Sequence, residues 1–428
     1  MAGPSLWIYR ALLAGLLPVA VPVLTIGDRL TGKRRPRFRD RLGRNLPEMP
    51  PGGFWLHAVS VGEVEIARRL VGELAALGGD VPIVVTATTA TGLDLARRTL
   101  PEGVPVAPCP LDLPGAVGRF VDAARPRVLV VVETELWPEM LHQAAVGGIP
   151  AAVVNARLSD RSFRNYRKVG RLLRPLLEPL ALVLARSAPD AERFAALGVA
   201  ASAIRVAGNV KYDLEPNREP LPWAETLQSA AGDRPVVVAG STMEGEEEIV
   251  LEAAARASAG GQPFLLVLAP RHPERFDTVA ELVRARSLGM VRRSTGESPG
   301  RGTSVFLLDT IGELARAYRL AAAAFIGGSF VPTGGHNPLE PAVWGVPVLS
   351  GPHVHNFREV YDEMTAAGAA VLVSGVDELT DTLAGWLDNP RAAGVAGAAG
   401  RAVVETNRGA TARTAAALLE LAERHGAP

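Results

Sequence analysis

Short apolar runs alternate with amphipathic stretches along the chain from Phe54 onward. This alternation is typical of parallel sheets that are covered by helices on both faces. In the first half, the apolar runs predict buried strands at Phe54–Val59, Ile83–Thr86, Val128–Val132, Ala151–Val154, Leu182–Ala185 and Ile204–Ala207. In the second half, they predict strands at Val236–Ala239, Phe264–Ala269, Val305–Leu308, Ala321–Ile326, Val346–Leu349 and Ala369–Val373. Stretches such as Val64–Leu77 and Ala188–Leu197 have the spacing of amphipathic helices.

The alternation lapses over Asp213–Asp233, a polar stretch with several prolines, and then resumes. A chain of 428 residues is also too long for one ordinary hydrophobic core. We therefore predict an α/β protein with two Rossmann-like domains whose parallel sheets face each other across a cleft. The predicted parts are an apolar and basic segment at 1–45, an N-terminal domain at 46–213, a linker at 214–233, a C-terminal domain at 234–405, and a C-terminal helix at 406–428 that packs on the N-terminal domain.

The N-terminus carries an uncharged apolar run, Ala11–Ile26, that basic residues follow closely. The run is shorter than the roughly 20 residues of a spanning helix, and Pro18 and Pro22 weaken it further. Its positive charge follows the apolar run, which disfavours a cleaved signal peptide. We predict a membrane-associated anchor or in-plane helix, with these basic residues against anionic headgroups: Arg29, Lys33, Arg34, Arg35, Arg37, Arg39, Arg41 and Arg44. The alternative is a buried core helix followed by a solvated basic loop.

Composition excludes some classes of function. The charge is balanced, with 45 basic and 45 acidic residues, which argues against a general nucleic-acid-binding protein. Cys109 is the single cysteine, so the chain cannot form an internal disulfide. His353 and His355 lie close together, but no cysteine joins them, and this pattern is not that of a metal cage. We therefore predict no metal site.

Polar side chains follow several predicted strands of the N-terminal domain. Glu63 lies just beyond the first strand and follows Ser60, so a capping box explains it as well as a general base does. Glu133 follows Val128–Val132 directly and would raise the pKa of a neighbouring carboxyl group, unless it is simply solvated. Lys211 follows the last strand, where it could pair with a carboxylate.

The C-terminal domain has a glycine-rich loop after Ala321–Ile326 and a predicted helix that begins at Asn337-Pro338, with Glu340 in a capping position. The N–H groups of such a loop and the start of a helix favour an anion, although a well-capped helix after a tight turn needs no ligand. Arg271 and His272 end another strand, and Asp309–Glu313 begins another helix. Together these turns indicate one nucleotide-sized site.

Several motifs resemble those of the bacterial Kdo transferases, which carry 3-deoxy-D-manno-octulosonic acid (Kdo) from CMP-Kdo onto the lipid A precursor. The motifs are HAVSVGE (His57–Glu63), ETELWP (Glu133–Pro138), NARLS (Asn155–Ser159), GNVKYD (Gly208–Asp213), PRHPERF (Pro270–Phe276) and GGHNPLEP (Gly334–Pro341). The resemblance spans nearly the whole chain. It implies a GT-B fold with an N-terminal acceptor domain and a C-terminal CMP-sugar donor domain, anchored at the cytoplasmic face of a bacterial inner membrane.

The resemblance also implies roles for the matched residues. Glu63 is expected to accept the proton of the attacking lipid hydroxyl in an inverting transfer, and Glu133 and Lys211 are expected to stabilise the transition state. The expected CMP-binding residues are Arg271, His272, Ile311, Gly312, Glu313, Asn337, Pro338, Leu339 and Glu340. No metal or other cofactor is expected, because Arg271 and backbone N–H groups would stabilise the departing phosphate.

Two other functions remain open on the sequence. A GT-B enzyme that uses a UDP-sugar on another lipid acceptor would share the fold, the N-terminal segment and the glycine-rich turn. A non-enzymatic two-domain binding protein would have no need of Glu63. Such a protein would normally be exported, which the basic residues after the apolar run disfavour.

Overall fold

The structure is a computed structural model that describes residues 4–31, 36, 38–78 and 81–425, with side chains except at 4, 19–31 and 171. The chain divides into two compact units. Unit 1 contains Met1–Asp213 and Arg408–Pro428, and unit 2 contains Leu214–Asn407. Each unit is built on a parallel sheet with helices, so the predicted α/β class with two Rossmann-like domains is confirmed.

Unit 1 begins with the long helix α1 (Pro4–Thr31) and then alternates strands with helices. The strands are β1 (Phe54–Ala58), β2 (Ile83–Ala87), β3 (Val106–Pro108), β4 (Val128–Val132), β5 (Ala151–Ala156), β6 (Leu180–Ala185) and β7 (Ile204–Val206). The helices are α2 (Val61–Gly78), α3 (Ala90–Thr99), α4 (Pro114–Ala124), α5 (Pro138–Val146), α6 (Asp160–Lys168), α7 (Gly170–Leu177) and α8 (Ala188–Ala196). The strands lie in the order β3-β2-β1-β4-β5-β6-β7.

The central strands β1, β4 and β5 are buried over their whole length and are mostly apolar because helices cover both faces of the sheet. Side chains alternate between the faces: Leu56 and Val130 pack into one hydrophobic cluster, whereas Trp55 and Val131 pack into the other. This arrangement leaves polar residues for the loops at the carboxyl ends of the strands, where parallel sheets bind ligands.

Unit 2 repeats this plan. Its strands are β8 (Val236–Thr242), β9 (Leu265–Pro270), β10 (Met290–Arg292), β11 (Val305–Leu307), β12 (Ala323–Ile326), β13 (Val348–Ser350) and β14 (Ala370–Leu372). Its helices are α9 (Ala224–Ala231), α10 (Glu246–Gly260), α11 (Phe276–Ala285), α12 (Leu314–Ala317), α13 (Leu339–Ala342), α14 (Arg358–Ala366), α15 (Val376–Asp388) and α16 (Pro390–Asn407). The strand order is β10-β11-β9-β8-β12-β13-β14.

The stretch 214–233, which was predicted to be a linker, has structure of its own. It contains α9 and belongs to unit 2. Trp223 is buried against Phe306, with their ring centroids 4.9 Å apart, and Leu227 is also buried. The prediction missed these apolar positions because polar residues and prolines surround them.

The last helix, α17 (Ala410–Arg424), lies in unit 1. Its apolar residues, such as Leu418 and Leu421, join the same hydrophobic cluster as α2. Asp213 fixes its start, because the carboxylate accepts hydrogen bonds from the N–H groups of Gly409 and Thr411. The chain therefore returns to complete unit 1 after it has formed unit 2.

The N-terminal helix α1 makes specific contacts with unit 1. Leu6 is buried, and the Tyr9 hydroxyl donates to Asp112 Oδ2 at 2.7 Å. Trp7 and Leu12 are 62% and 68% exposed. Within the part of the chain that is described, no helix has both the length and the apolar character needed to cross a membrane. The side chains of the predicted basic residues at 29, 33–35 and 37, and the end of the apolar run from 19 to 26, lie outside the described residues.

Candidate active site

Glu63 lies in the first turn of α2, just beyond the end of β1, and is 7% exposed. Its Oε2 accepts a hydrogen bond from the N–H of Val59 at 2.7 Å, and its Oε1 accepts one from the Ser60 hydroxyl at 2.9 Å. Burial raises the pKa of Glu63 to about 7, the Val59 N–H opposes the shift, and nearby Glu133 adds to it. The carboxyl group therefore holds the start of the helix and also exchanges a proton near neutral pH.

Glu133 follows β4 and adopts a left-handed backbone conformation, with a φ of 61°. This conformation is uncommon outside glycine and persists only where surrounding contacts impose it. The N–H of Glu133 donates to the carbonyl of Val154 at 2.8 Å, and the Thr134 hydroxyl donates to the carbonyl of Arg157. Burial and the charge of Glu133 raise the pKa of Glu135. The loop after β4 thus fixes two carboxyl groups beside the end of β5.

Lys211 lies in a 3-10 turn, Val210–Tyr212, that follows β7. The Asn155 side chain orients this turn, because its Oδ1 accepts the N–H of Val210 at 3.0 Å. Burial lowers the pKa of Lys211, and the charge of Glu133 opposes that shift. The residues that the sequence predicts for catalysis in unit 1 thus lie at the carboxyl end of one sheet and interact electrostatically: Glu63, Glu133 and Lys211.

Three further polar residues at the same end of the sheet were not predicted to have a role: Asn155, Arg157 and Arg186. Asn155 has a left-handed backbone, like Glu133, with a φ of 49°. Arg186 directly follows β6 and is 8% exposed; burial lowers its pKa to about 10, and the charge of Glu133 opposes this shift. Each of these residues lies at the end of a buried strand or directly follows one. This position in the sequence could have identified them as candidate site residues.

In unit 2, Arg271 and His272 directly follow β9. The N–H of Arg271 donates to the carbonyl of Thr242 at 2.9 Å, which ties the end of β9 to the end of β8. His336 lies in the loop after β12; burial, together with the charges of Arg271 and His272, lowers its pKa to about 4. His336 was not among the predicted site residues, although its motif was. Unit 2 thus gathers a fixed cation and two imidazoles at the carboxyl end of its sheet.

The glycine-rich loop after β12 is organised by Glu246, a fully buried residue in the first turn of α10. Its carboxylate accepts the N–H groups of Gly328 at 2.6 Å, Ser329 at 2.8 Å and Phe330 at 2.8 Å. Gly328 has a φ of 69°, and a Cβ there would lie 2.9 Å from the ring of His336. The carboxylate of Glu246 therefore holds the loop in place, although the sequence predicted Glu246 only as part of an acidic helix.

The segment Asn337–Glu340 differs from its prediction in one respect. The helix begins at Leu339, not at Asn337-Pro338, and α13 is a single turn. It ends early because Gly345 turns the chain in the left-handed conformation, with a φ of 75°. Asn337 lies just before the N-cap residue Pro338, and its Oδ1 accepts the N–H of Leu339 at 3.1 Å. One turn has little macrodipole, so individual N–H groups, not the dipole, are available to a phosphate.

The segment 311–313 precedes another one-turn helix, α12. Ile311 is 70% exposed, and Gly312 has a φ of 91°. The carboxylate of Glu313 is engaged within unit 2, because its Oε1 accepts the indole N–H of Trp223 at 3.0 Å. Burial opposes ionisation of Glu313, but the donors around it hold its pKa below the usual value. The side chain of Glu313 thus holds the turn, while Ile311 and Gly312 are open to a ligand.

Two reactive residue types of unit 1 are packed in its core. His57 is fully buried, and burial lowers its pKa to about 3. Its Nε2 lies 3.8 Å from the Sγ of Cys109, and burial raises the pKa of that thiol to about 12. Both groups are therefore neutral and inert at pH 7. Across the described residues, no three or more His, Cys, Asp or Glu side chains are grouped to hold a metal ion.

The sequence of this chain is also closely similar to those of known proteins. A Haemophilus influenzae protein described as a 3-deoxy-D-manno-octulosonic acid transferase is 36% identical over 425 residues, which cover 97% of this chain and 100% of that protein. The chain belongs to the Kdo transferase family. It is accordingly an enzyme, a glycosyltransferase. A Bordetella pertussis Kdo transferase is 36% identical over 388 residues, or 88% of this chain and 89% of that protein. The family model described as "3-Deoxy-D-manno-octulosonic-acid transferase (kdotransferase)" matches residues 36–214.

Solved structures are also similar. A glycosyltransferase from Rickettsia africae has a TM-score of 0.55 at 10% identity and covers 88% of this chain and 98% of that chain, which shows a shared fold. The C-terminal CMP-Kdo binding domain of WaaA from Acinetobacter baumannii is 36% identical and covers 42% of this chain and 96% of that chain, with a TM-score of 0.41.

Proposed function

We propose that this Kdo transferase moves Kdo from CMP-Kdo to a hydroxyl of the lipid A precursor, with inversion at the anomeric carbon and with Glu63 as general base. One observation carries the proposal. Glu63 has a pKa of about 7, and two hydrogen bonds fix its carboxyl group at the carboxyl end of the unit 1 sheet. A general base works best when its pKa lies near the working pH, because it is then both ionised and basic enough.

The reaction balances through these groups. The acceptor oxygen forms a bond to the anomeric carbon while its proton passes to Glu63, and the bond from that carbon to the CMP phosphate oxygen breaks with its electron pair. Each oxygen of Glu63 accepts one hydrogen bond from Val59 or Ser60, so a second lone pair remains for the acceptor hydroxyl. Glu133 and Lys211 act beside it on the charge that develops in the transition state.

Unit 2 holds the donor in this proposal. Arg271 and His272, with His336 beside them, take the phosphate of CMP, whose negative charge grows as the bond breaks. N–H groups of the loop that Glu246 fixes add further donors, and Glu340 accepts from the ribose hydroxyls. A fixed cation then stabilises the leaving group, so we expect activity without added divalent metal. Transfer that persists in excess chelator supports this expectation, and transfer that stops in chelator and returns with a divalent metal contradicts it.

The proposed location is the cytoplasmic face of the bacterial inner membrane. Helix α1 is attached to unit 1 through Leu6, Tyr9 and Arg10, while Trp7 and Leu12 of the same helix face outward. An apolar helix face with nearby basic residues is the pattern of a helix that lies in the membrane interface. Anionic lipid headgroups are the expected partners of those basic residues.

Mass spectrometry tests the proposed function directly. The protein is incubated with CMP-Kdo, generated in situ because it is labile, and with a tetraacyl disaccharide bisphosphate as acceptor. Addition of Kdo mass to the acceptor supports the proposal, and no product with folded protein overturns it. Glu102→Gln, at an exposed carboxylate of the same unit, is the matched control for Glu63→Gln. Calorimetric titration with CMP and with UDP tests the donor, and a clear preference for UDP contradicts it.

A further inference from the structure

Arg69 lies on α2, the helix whose first turn carries Glu63. Its Nη1 donates to the carbonyl of Asp213 at 2.6 Å and to the carbonyl of Val210 at 3.2 Å. These two carbonyls lie on either side of Lys211 in the sequence. One side chain therefore connects the helix of the proposed general base to the turn that carries the proposed transition-state cation.

The turn after β7 is held at its two ends by different elements. Asn155, on β5, accepts the N–H of Val210 at 3.0 Å, and the carboxylate of Asp213 accepts N–H groups at the start of α17. Arg69 adds a contact from a third element, α2. Of these three contacts, the one from Arg69 comes from the helix that carries Glu63, so it relates the two catalytic groups in space.

The guanidinium group of Arg69 is used in this contact. Its side chain is 16% exposed; burial lowers its pKa, and the charge of Glu65 opposes that shift. Glu65 lies 3.7 Å from Arg69 Nε but is paired more closely with Arg68, at 2.5 Å. A charge that is largely withdrawn from water needs hydrogen-bond acceptors, and the two N–H groups of Nη1 find them in the two carbonyls. Arg68, which is 39% exposed on the same helix, is a matched control.

Glu63 and Lys211 are close enough to interact electrostatically. Burial lowers the pKa of Lys211, and the charges of Glu133 and Glu63 oppose that shift. The interaction between two charges depends on the distance between them. A misplacement of about 1 Å between catalytic groups can also cost roughly a hundredfold in rate. The position of the turn relative to α2 therefore matters for catalysis.

We propose that Arg69 is a positioning residue, which holds the turn of Lys211 at a fixed distance from Glu63 and thereby sets the rate of transfer. The inference rests on the proposed function, in which Glu63 accepts the proton and Lys211 stabilises the transition state. It assigns no contact between Arg69 and a substrate. The expected signature is therefore a change in kcat without a change in substrate binding.

Steady-state kinetics of Arg69→Met test the proposal, because methionine has a similar length and no N–H donor. We expect kcat to fall about tenfold or more, with the KM values for CMP-Kdo and the acceptor within about threefold of the native values. Arg69→Lys, which keeps a charge and N–H donors, should recover part of the loss. Arg68→Met should keep the native kcat. A native kcat in folded Arg69→Met overturns the proposal.

A double variant separates positioning from a general effect on the fold. If Arg69 acts through Lys211, Arg69→Met lowers kcat by less than about twofold in a Lys211→Ala background, because residues that act together are not additive. If Arg69 only stabilises the fold, its full effect persists in that background, and the proposal is overturned. Thermal unfolding shows that folded proteins are compared, and Arg69→Gln takes the place of Arg69→Met if the latter does not fold.

A measurement without substrate separates this inference from the proposed function. The lysines of the chain are Lys33, Lys168 and Lys211, so protein labelled with ¹³C at lysine Cε gives few NMR signals, and Lys211→Ala assigns one of them. Lys168 is exposed and serves as the reference. We expect the Lys211 signal to move toward that of Lys168 in Arg69→Met, because the released turn is more open to water, and to stay in place in Arg68→Met. An unchanged Lys211 signal in Arg69→Met overturns the proposal, whatever the enzyme transfers.

Discussion

Arg10 and Glu139 form a two-pronged ion pair that fastens helix α1 to α5. Arg10 Nε lies 2.7 Å from Glu139 Oε2, and Arg10 Nη2 lies 2.8 Å from Glu139 Oε1. Glu139 is completely buried, whereas a fifth of the Arg10 side chain is exposed. The N-terminal helix is thus bound to unit 1 through a charge that has no access to water, and removing the helix would leave that charge without its partner.

We predict that Arg10→Ala destabilises unit 1 by roughly 2–4 kcal/mol, because breaking a buried ion pair leaves an uncompensated charge. Denaturant unfolding in detergent measures the change. Arg39→Ala, at an exposed arginine, is the control and should shift stability by less than about 0.5 kcal/mol. Replacing both partners, as in Arg10→Met with Glu139→Met, should recover much of the loss. Equal stability of Arg10→Ala and the native protein would contradict the prediction.

The ion pair between Arg10 and Glu139 also determines which variant can test membrane binding. Deleting residues 1–44 removes Arg10 and leaves Glu139 without its ion pair. The deleted protein could then fail to bind vesicles because it unfolds and not because it lacks an anchor. We predict instead that serine at Trp7, Leu12 and Leu16 together reduces flotation with anionic vesicles while the circular dichroism stays native. These side chains are exposed, and each would gain about 1.5–3 kcal/mol if fully buried in lipid. Val395→Ser, at an exposed apolar residue of unit 2, is the control, and unchanged flotation of the triple variant would end the idea.

For Glu63→Gln, we predict a loss of transfer of about a hundred- to ten-thousand-fold, as for other general bases. The amide oxygen of glutamine can still accept the N–H of Val59, so folding and CMP binding should be nearly unchanged. Initial rates measure transfer, calorimetry measures CMP binding, and the melting temperature measures stability. If Glu63 were only a cap, the variant would keep its turnover and lose about 1 kcal/mol of stability.

The pH dependence of stability provides a separate test of Glu63. Its pKa is about 7 in the folded protein, against a usual value of 4.5, so the folded state binds more protons between those values. Stability must then fall as the pH rises through that window. We predict that, relative to Glu63→Gln, the native protein loses about 3 kcal/mol between pH 4 and pH 8, at 1.36 kcal/mol for each pKa unit. His57, whose pKa shifts in the opposite direction, cancels in this comparison. A constant difference would show that burial does not perturb Glu63.

In unit 2, we predict that Glu246→Gln weakens CMP binding at least tenfold. The carboxylate accepts N–H groups on both oxygens, and an amide would point its own NH₂ at some of them. Each lost bond to a charged group costs about 1.5–3 kcal/mol. Calorimetric titration measures the affinity, and Glu248→Gln, at an exposed neighbour on α10, is the control. Native affinity in Glu246→Gln would mean that the loop after β12 does not hold the donor.

The sequence predicted most of the strands, including three-residue ones such as β11 and β13, because their apolar runs report burial on both faces of a sheet. It missed β3 and β10, which are only partly buried and which end in Pro108 and Arg292. Their short apolar pairs do not distinguish them from loops, and their neighbours in the sheet define them.

Part of the candidate site was also predictable, because some of its residues directly follow apolar runs. Glu63, Glu133 and Lys211 stand out because each follows an apolar run, and a matching motif named them. Glu246 did not, because its importance depends on which N–H groups of a distant loop approach it. That information is non-local, and neither spacing nor composition along one stretch contains it.

The return of α17 to unit 1 has a consequence for synthesis of the protein. Residues up to Asp213 leave the ribosome well before Leu418 and Leu421, yet the hydrophobic face of α2 needs those leucines for its cover. At about 5–20 residues per second, the nascent chain waits roughly 10–40 s with this face uncovered. Unit 2 carries all of its strands within that interval and can fold first. A premature stop near the C-terminus would therefore damage the N-terminal half of the enzyme, because α2 would lose the leucines that cover it.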